Sequence, residues 1–272
     1  MKDKTQIKNI IEKNSSTFIP AQESTFIIWF FDVYTRFLIK FRFHKVTIHQ
    51  EYQPAENSRT VYFLNHNSWW DGLIPLYLNR KFFNQKARAM MEDKQMRKYP
   101  FFRKLGAFSV NLEDSRASIS SLRYAAESLQ RPNSSLFIYP EGTITPVSDQ
   151  KPKFKTGLAW IYANSKNVDF VPVSLYLHTL KSSKPELRIF ISEPVHHDKN
   201  LAREELTTLF EIDLHKLLLK NRESAEISDN NNSPGPRIHS FRFLNPMRFL
   251  IFIPKAHMNQ GPEFFGINST RR

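Results

Sequence analysis

The feature that most constrains the fold is an alternation, in the middle of the chain, of short apolar runs with longer stretches of helical periodicity. The strand-like runs are residues 61–64, 136–139, 170–176 and 187–191. The helix-like stretches are residues 115–129, 158–163 and 204–219. Alternation of this kind is typical of α/β proteins. Since 40% of the 272 residues are hydrophobic and 24 are phenylalanine, we predict a sizeable α/β domain in which helices flank a mixed sheet.

The first apolar run leads into Asn65-His66-Asn67-Ser68-Trp69-Trp70-Asp71-Gly72. A histidine that follows a strand lies at the mouth of a sheet, and an aspartate in the first turn of the next helix can reach back to it. An imidazole can take a proton from an alcohol when one of its nitrogens is held unprotonated, and a carboxylate that accepts the other N–H fixes that tautomer. The spacing of His66 and Asp71 therefore predicts a positioned general base. Spacing alone also fits a histidine that packs beside two tryptophans.

Three further segments follow in order along the chain. They are Leu105-Gly106-Ala107-Phe108-Ser109-Val110-Asn111, then Leu136-Phe137-Ile138-Tyr139-Pro140-Glu141-Gly142-Thr143 with Phe154-Lys155-Thr156-Gly157 after it, and finally Phe170-Val171-Pro172-Val173-Ser174. Together with the His-x4-Asp element, these segments resemble the four motifs of the glycerolipid (lysophospholipid) acyltransferase family, which includes bacterial 1-acylglycerol-3-phosphate acyltransferase. The resemblance covers roughly residues 60–195. It implies transfer of a fatty acyl chain to a hydroxyl of a lipid acceptor.

The resemblance also implies roles for individual residues. His66 would deprotonate the acceptor hydroxyl, and Asp71 would orient His66. The residues expected near the polar head of the acceptor are Glu141, Gly142, Thr143 and Lys155. The residues that match structural positions of the family's motifs are Asn65, Gly106, Pro140 and Pro172.

Two positions depart from the family's pattern. Its second motif usually ends in arginine and its third usually reads Glu-Gly-Thr-Arg, whereas this chain has Leu112-Glu113 and Ile144 there. Arginine suits phosphate because its planar fork gives two parallel charge-assisted hydrogen bonds. The basic residues that could replace it are Arg116, Arg123, Lys153 and Lys155, although a solvated helix face and loop explains them equally well. A phosphate-free acceptor, such as a lyso-aminolipid or a glycolipid, is therefore one alternative, and a lipid- or carrier-binding module without turnover is another.

Other kinds of chemistry lose support. The chain has no cysteine, no Gly-x-Ser-x-Gly element, no Walker loop and no His-Glu-x-x-His helix, which argues against serine hydrolysis, nucleotide binding and zinc proteolysis. A thioester is already activated, so one base and stabilisation of the oxyanion suffice. We therefore expect acyl-CoA or acyl-ACP as co-substrate, with no cofactor and no metal. His196-His197-Asp198 is interpreted as a surface loop rather than a metal cluster.

The residues before the predicted domain favour association with a membrane. Residues 26–43 are dense in Phe, Ile and Trp, and Asp32, Arg36 and Lys40 fall on one helical stripe. We predict an amphipathic helix that lies in the membrane interface, since no uncharged stretch approaches the roughly 20 residues needed to span a bilayer. We see no signal peptide. The alternative is a helix that simply packs on the catalytic domain.

The positive charge of the chain also favours a membrane as partner. The formal net charge is +13, and residues 80–104 contain nine Lys or Arg against two acids. A basic face attracts anionic lipid headgroups and acidic acyl donors such as acyl-CoA or an acyl carrier protein. Nucleic acid is not expected, because no nucleic-acid-binding motif accompanies the charge. Since activated thioesters are expected inside the cell, we predict a membrane-associated protein on the cytoplasmic face.

These patterns divide the chain into four predicted parts. Residues 1–50 form the N-terminal amphipathic membrane-associating segment, and residues 51–222 form the acyltransferase domain. Residues 223–240 are rich in Asn, Ser, Asp and Pro and are predicted to be a flexible linker. Residues 241–272 form a C-terminal tail of apolar and basic residues.

Overall fold

A computed structural model describes residues 18–146, 148–180, 182–226 and 237–242. Its centre is an eight-stranded sheet in the order β4-β3-β5-β2-β6-β7-β1-β8. The strands are β1 (Lys45–Gln50), β2 (Arg59–Leu64), β3 (Lys86–Glu92), β4 (Ala107–Val110), β5 (Ser134–Ile138), β6 (Asp169–His178), β7 (Glu186–Ile191) and β8 (Arg237–Arg242). The pairs β6–β7 and β1–β8 are antiparallel and the other pairs are parallel. The predicted mixed α/β sheet is thus confirmed.

Helices cover both faces of this sheet. They are α1 (Thr25–Arg42), α2 (Ile74–Leu78), α3 (Asp93–Lys98), α4 (Ser115–Ser128), α5 (Gly157–Asn164) and α6 (Arg203–Glu226). Two 3₁₀ turns, Trp69–Gly72 and Pro100–Leu105, and a π-helical turn, Asn79–Phe83, connect them. The predicted helix-like stretches correspond to α4, α5 and α6.

The central strand β2 is buried on both faces, which explains why its sequence is a continuous apolar run. Val61 and Phe63 point to the side of the sheet where α4, α5 and α6 pack, while Tyr62 and Leu64 point to the side covered by α1 and α2. Side chains alternate between the two faces of a strand, so a strand buried on both faces is apolar at every position. All four side chains are fully buried.

The structure moves two of the predicted boundaries. Strand β1 belongs to the sheet, although residues 45–50 were assigned to the N-terminal segment. The predicted linker 223–240 overlaps the end of α6 and most of β8, which pairs with β1. A pairing between residues so far apart in sequence leaves no trace in local composition. Apart from Phe241 and Arg242, the predicted C-terminal tail lies outside the described residues.

The chain before α1 is attached to the edge strand of the sheet. Ile19 and Ser109 exchange hydrogen bonds, with Ile19 N donating to Ser109 Oγ at 2.7 Å and Ser109 N donating to Ile19 O at 2.9 Å. Glu23 accepts a hydrogen bond from the buried Arg88 of β3. Helix α1 therefore starts from a fixed point on the domain.

The three residues of the predicted polar stripe of α1 differ in burial, since Asp32 is buried whereas Arg36 and Lys40 are exposed. Asp32 is buried with Thr35 and Ile39 on the side that faces the domain, where its carboxylate accepts from Arg36 at 2.7 and 3.2 Å and lies 3.6 Å from Arg80. Most of the exposed residues are apolar or aromatic, namely Phe26, Trp29, Phe30, Val33, Tyr34, Phe37 and Phe41. The helix packs on the domain and still presents a large apolar face. Within the described residues, no helix has the length and apolar character needed to span a bilayer.

Candidate active site

His66 lies just beyond the carboxyl end of β2, which pairs with β5 on one side and with β6 on the other. The preceding residue, Asn65, prolongs the pairing between β2 and β6 with its side chain. Its Oδ1 accepts from Leu175 N at 2.7 Å, and its Nδ2 donates to Leu175 O at 2.9 Å. The Asn65 amide thus replaces one step of the strand ladder and fixes the point where the chain leaves the sheet.

The predicted contact between His66 and Asp71 is present. Nδ1 of His66 lies 3.0 Å from Oδ2 of Asp71, which sits in the 3₁₀ turn after β2. When Nδ1–H donates to this carboxylate, Nε2 carries the lone pair of the neutral imidazole. Nε2 makes no hydrogen bond within the described part of the chain, and His66 lines a cleft. This arrangement can accept a proton from a bound hydroxyl.

The carboxylate of Asp71 is almost fully buried, which would be costly without compensation. The amides of Asn67 and Ser68 donate to Oδ2 at 2.7 and 2.8 Å. The hydroxyl of Ser68 donates to Oδ1 at 2.7 Å. These bonds give both carboxylate oxygens hydrogen-bond donors and hold Oδ2 in place for His66.

A second segment holds the backbone of His66. Its N–H donates to Oε1 of Glu141 at 2.9 Å, and its carbonyl accepts from Thr145 N at 2.8 Å. The Thr145 hydroxyl donates to the other oxygen of Glu141, and Asn67 Nδ2 donates to Thr145 O at 2.8 Å. Glu141 is buried and does not line the cleft. Its carboxylate thus contacts the main chain of the candidate base rather than the space expected for the acceptor.

Gly142 occupies a position that other residues would not fit. Its φ is +74°, and an added Cβ would come within 2.8 Å of Cε of Lys155 and 3.6 Å of Cδ1 of Leu112. The Lys155 amide also donates to Pro140 O at 2.8 Å. The aliphatic part of Lys155 therefore lies over the Glu-Gly-Thr turn.

The cleft beside His66 has a volume of about 1460 Å³. Apolar residues form much of its wall, among them Leu73, Leu76, Met91, Leu105 and Phe137. Of the residues predicted to bind the acceptor, those that line it are Gly142, Thr143, Lys155 and Arg116. Arg123 also lines the cleft and Lys153 does not. A cleft lined by apolar residues and cations suits an amphiphilic ligand that carries an anionic head.

The remaining motif residues have backbone roles. Gly106 has a φ of +96°, and a Cβ there would come within 2.7 Å of Ala87 O. The carbonyl of Pro172 in β6 accepts from Ser192 N at 3.1 Å. The backbone N and O atoms of one strand residue point to the same side of the strand. Proline has no N–H to donate, and at Pro172 this side faces the chain just after β7 has ended, so no hydrogen bond between the two strands is lost.

Three contributors to the site were not predicted from the sequence: Ser68, Thr145 and Tyr139. Tyr139 donates its hydroxyl to Asp71 O at 2.5 Å, and its ring centroid lies 4.6 Å from that of His66. Burial raises the pKa of Tyr139 well above its usual value, with a smaller contribution from the charge of Asp71. Ser68 and Tyr139 adjoin motif residues in sequence, but their contacts depend on how the turns fold.

The His196-His197-Asp198 segment does not form a metal site. Nε2 of His197 lies 2.7 Å from Oδ2 of Asp213 in α6, and Asp198 accepts from Asn200 N at 3.0 Å. Among the described residues, no group of three or more His, Asp or Glu side chains is placed to hold a metal ion.

Comparison with known proteins adds the following. The model of the family described as Acyltransferase matches residues 45–176. Among solved structures, the chain is similar to the crystal structure of the 1-acyl-sn-glycerophosphate (LPA) acyltransferase, PlsC, from Thermotoga maritima. That similarity has 19% sequence identity and a TM-score of 0.49, and it covers 84% of this chain and 85% of the other. No curated protein matches the chain.

Proposed function

We propose that this chain, whose residues 45–176 match the model of the Acyltransferase family, moves a fatty acyl chain from acyl-CoA or acyl-ACP to a hydroxyl of a lysophospholipid or related lipid acceptor. The observation that carries this proposal is the imidazole of His66, which is paired with a buried carboxylate and lines a cleft with apolar and cationic walls.

The proposed reaction needs one base. Nε2 of His66 takes the proton of the acceptor hydroxyl while the oxygen attacks the thioester carbonyl. Asp71 keeps Nδ1 protonated and stabilises the imidazolium that forms. The tetrahedral intermediate then expels the thiolate of the donor, which takes the proton back from His66. The products are an ester and a free thiol, and the enzyme returns to its starting state.

Cations in the cleft are proposed to bind the head of the acceptor. Lys155 lies over the turn at Gly142, next to the segment that holds the backbone of His66. Arg116 and Arg123 project from α4 into the same cleft. An anionic head bound by these residues would place a neighbouring hydroxyl near His66.

A phosphate-free acceptor is the second candidate. Leu112 and Ile144, which stand where the family usually has arginines, both line the cleft. Ile144 is 55% exposed. Apolar side chains at these places give a phosphomonoester no bidentate partner, which favours a head group such as an amino acid or a sugar.

The membrane is proposed as the source of the acceptor. The exposed face of α1 includes Phe26 at 67% and Trp29 at 55% exposure. On the same helix, Phe31 stacks on Phe101 with centroids 4.9 Å apart, and the nearby Tyr99 lines the cleft. The apolar face of α1 therefore adjoins the cleft, so that a lipid could enter from the interface. Because acyl thioesters are made inside the cell, we place the protein on the cytoplasmic face.

The activity is tested by thiol release from palmitoyl-CoA and palmitoyl-ACP, with lysophosphatidic acid and a panel of phosphate-free lysolipids as acceptors. His66→Ala is the test variant. His215→Ala is the matched control, because His215 lies on α6 and does not line the cleft. We expect acceptor-dependent release that His66→Ala abolishes and His215→Ala keeps. If only phosphate-free acceptors are acylated, the apolar residues Leu112 and Ile144 would explain a changed acceptor specificity. A folded protein that binds donor without turnover would instead be a binding module.

Membrane association is tested separately by co-sedimentation with vesicles that contain phosphatidylglycerol. The variant replaces Phe26, Trp29 and Phe30 with serine. The control replaces Leu219, which is also exposed but lies on α6. We expect the first variant to lose most of its binding and the control to keep it. Equal binding by both variants would contradict the role of α1.

A further inference from the structure

Tyr139 connects the two members of the candidate catalytic pair to the sheet. It directly follows β5, and its ring lies against the imidazole of His66 with an interplanar angle of 31°. Its hydroxyl donates to the backbone carbonyl of Asp71. One side chain therefore contacts both the ring of the base and the turn that carries its carboxylate.

The hydroxyl of Tyr139 differs from the other bonds that hold Asp71. The donors to the carboxylate come from Asn67 and Ser68, within the same turn, and they would move together with it. Tyr139 is separated from Asp71 by 68 positions and belongs to the neighbouring strand segment. Its bond thus sets the position of the whole turn relative to β2, from which His66 extends.

We propose that Tyr139 is a positioning residue that holds Asp71 at hydrogen-bonding distance from His66 during the reaction. This inference rests on the proposed function. Burial keeps the hydroxyl protonated, because it raises the pKa of Tyr139, so Tyr139 acts as a neutral donor and not as a second base. Small displacements of a catalytic pair are costly, since reaction rates depend steeply on geometry.

The test compares Tyr139→Phe with Tyr162→Phe. Tyr162 is an equally suitable tyrosine in the helical layer: it is buried, and its hydroxyl bonds the backbone O and N of His197 at 2.8 and 2.7 Å. Each variant removes one hydroxyl that bonds main chain. We expect a similar loss of melting temperature in both, about 2–4 °C. Only Tyr139→Phe should lower kcat, by about tenfold, with little change in KM for either substrate.

A second measurement does not need turnover. Diethyl pyrocarbonate modifies the unprotonated imidazole, and peptide mass spectrometry isolates the modification of His66 from that of the other histidines. If Tyr139→Phe weakens the contact with Asp71, the imidazolium is less stabilised and the midpoint of modification moves to lower pH. Tyr162→Phe should leave that midpoint unchanged. Tyr139→Leu, which also removes the ring, should shift it at least as far and expose His66 to faster modification.

The two measurements separate the possible failures. A shifted modification midpoint without any acyl transfer in the wild type would support the positioning role and overturn the proposed function. Tyr139→Phe with wild-type kcat and an unchanged midpoint, while its melting temperature falls as in Tyr162→Phe, would make Tyr139 an ordinary core residue and overturn this inference.

Discussion

Two histidine–aspartate pairs lie in different parts of this molecule, and their hydrogen bonds are similar. His66 and Asp71 are 3.0 Å apart at the cleft, and His197 and Asp213 are 2.7 Å apart between a loop and α6. The imidazoles are also similarly buried, with side chains 22% and 14% exposed. Judged by the contact alone, the second pair would be the better candidate for a catalytic dyad.

The surroundings separate the two pairs. The ring of His197 packs edge-on against Phe210, with centroids 5.1 Å apart, and does not line the cleft. Asp213 is 21% exposed, whereas Asp71 is 4% exposed and accepts three further hydrogen bonds. A free nitrogen at a cleft and a fully bonded carboxylate are what distinguish a base from a structural contact.

The largest effect is expected when the two histidines are removed. His66→Ala should lower kcat by about 10³-fold, because it removes the base that takes the hydroxyl proton. His197→Ala should keep kcat within about threefold and lower stability by about 1–2 kcal/mol, since Asp213 loses its partner. Thiol-release kinetics and urea unfolding measure both. Similar losses of kcat in the two variants would remove the distinction between the pairs.

The carboxylates give the next largest effect. In Asp71→Asn, the amide oxygen should stay at the Oδ2 position, where it accepts from Asn67 N and Ser68 N, so that the imidazolium of His66 loses the negative charge that stabilises it. We expect kcat to fall by about 10²-fold or more. The same change at Asp213 should leave kcat nearly unaltered. An Asp71→Asn enzyme with wild-type kcat would show that the negative charge of Asp71 is not needed to stabilise the imidazolium of His66.

Several strands and one of the two histidine–aspartate pairs could be predicted from the sequence. The strands β2, β5, β6 and β7 were predicted because strands buried on both faces have continuous apolar runs. Strand β3 was missed because its sequence, Lys-Ala-Arg-Ala-Met-Met-Glu, has no such run. The pairing of His66 with Asp71 was predicted because both belong to one short motif.

The contacts that complete the site were not predictable in the same way. Tyr139 and Asp71 are 68 positions apart, and Thr145 and His66 are 79 positions apart. They meet because β2 and β5 pair in parallel in one register, Phe63 beside Ile138. Register depends on the whole sheet and is not encoded at the residues that it brings together. The pairing of His197 with Asp213 was missed because it depends on how α6 packs beside the loop that carries His197.

A smaller effect is expected at Glu141, which accepts a hydrogen bond from the backbone N–H of His66. In Glu141→Gln, one oxygen can still accept from His66 N, and the new amide can donate to the Thr145 hydroxyl. We expect kcat within about threefold of wild type, but a loss of about tenfold in Glu141→Ala, which leaves the buried His66 N–H unpaired. Steady-state kinetics give kcat and KM separately. A raised KM for the acceptor in Glu141→Gln, with kcat unchanged, would instead place the charge of Glu141 at the acceptor's head.

The smallest effect concerns a third histidine, His49, which faces cations rather than a carboxylate. Burial, followed by the charges of Arg188 and Lys220, lowers the pKa of His49 from 6.5 to about 4. Arg188 lies 3.1 Å from its Nε2 and the ring stacks on Phe190.

The sign of the pH dependence follows from this shift in pKa. As pH falls from about 6.5 towards about 4, the unfolded chain takes up a proton at His49 that the folded protein does not, so stability falls over that range and is fully retained above it. Because His49 is only partly buried, we expect a loss of about 1 kcal/mol. The urea midpoints measured at pH 7.5, 6 and 5 should therefore differ less from one another in His49→Gln than in the wild type. In this variant the amide oxygen can still accept a hydrogen bond from Arg188. His44→Gln, just before β1, should keep the wild-type slope. If His49→Gln kept that slope as well, the acid sensitivity would have to arise from groups other than His49.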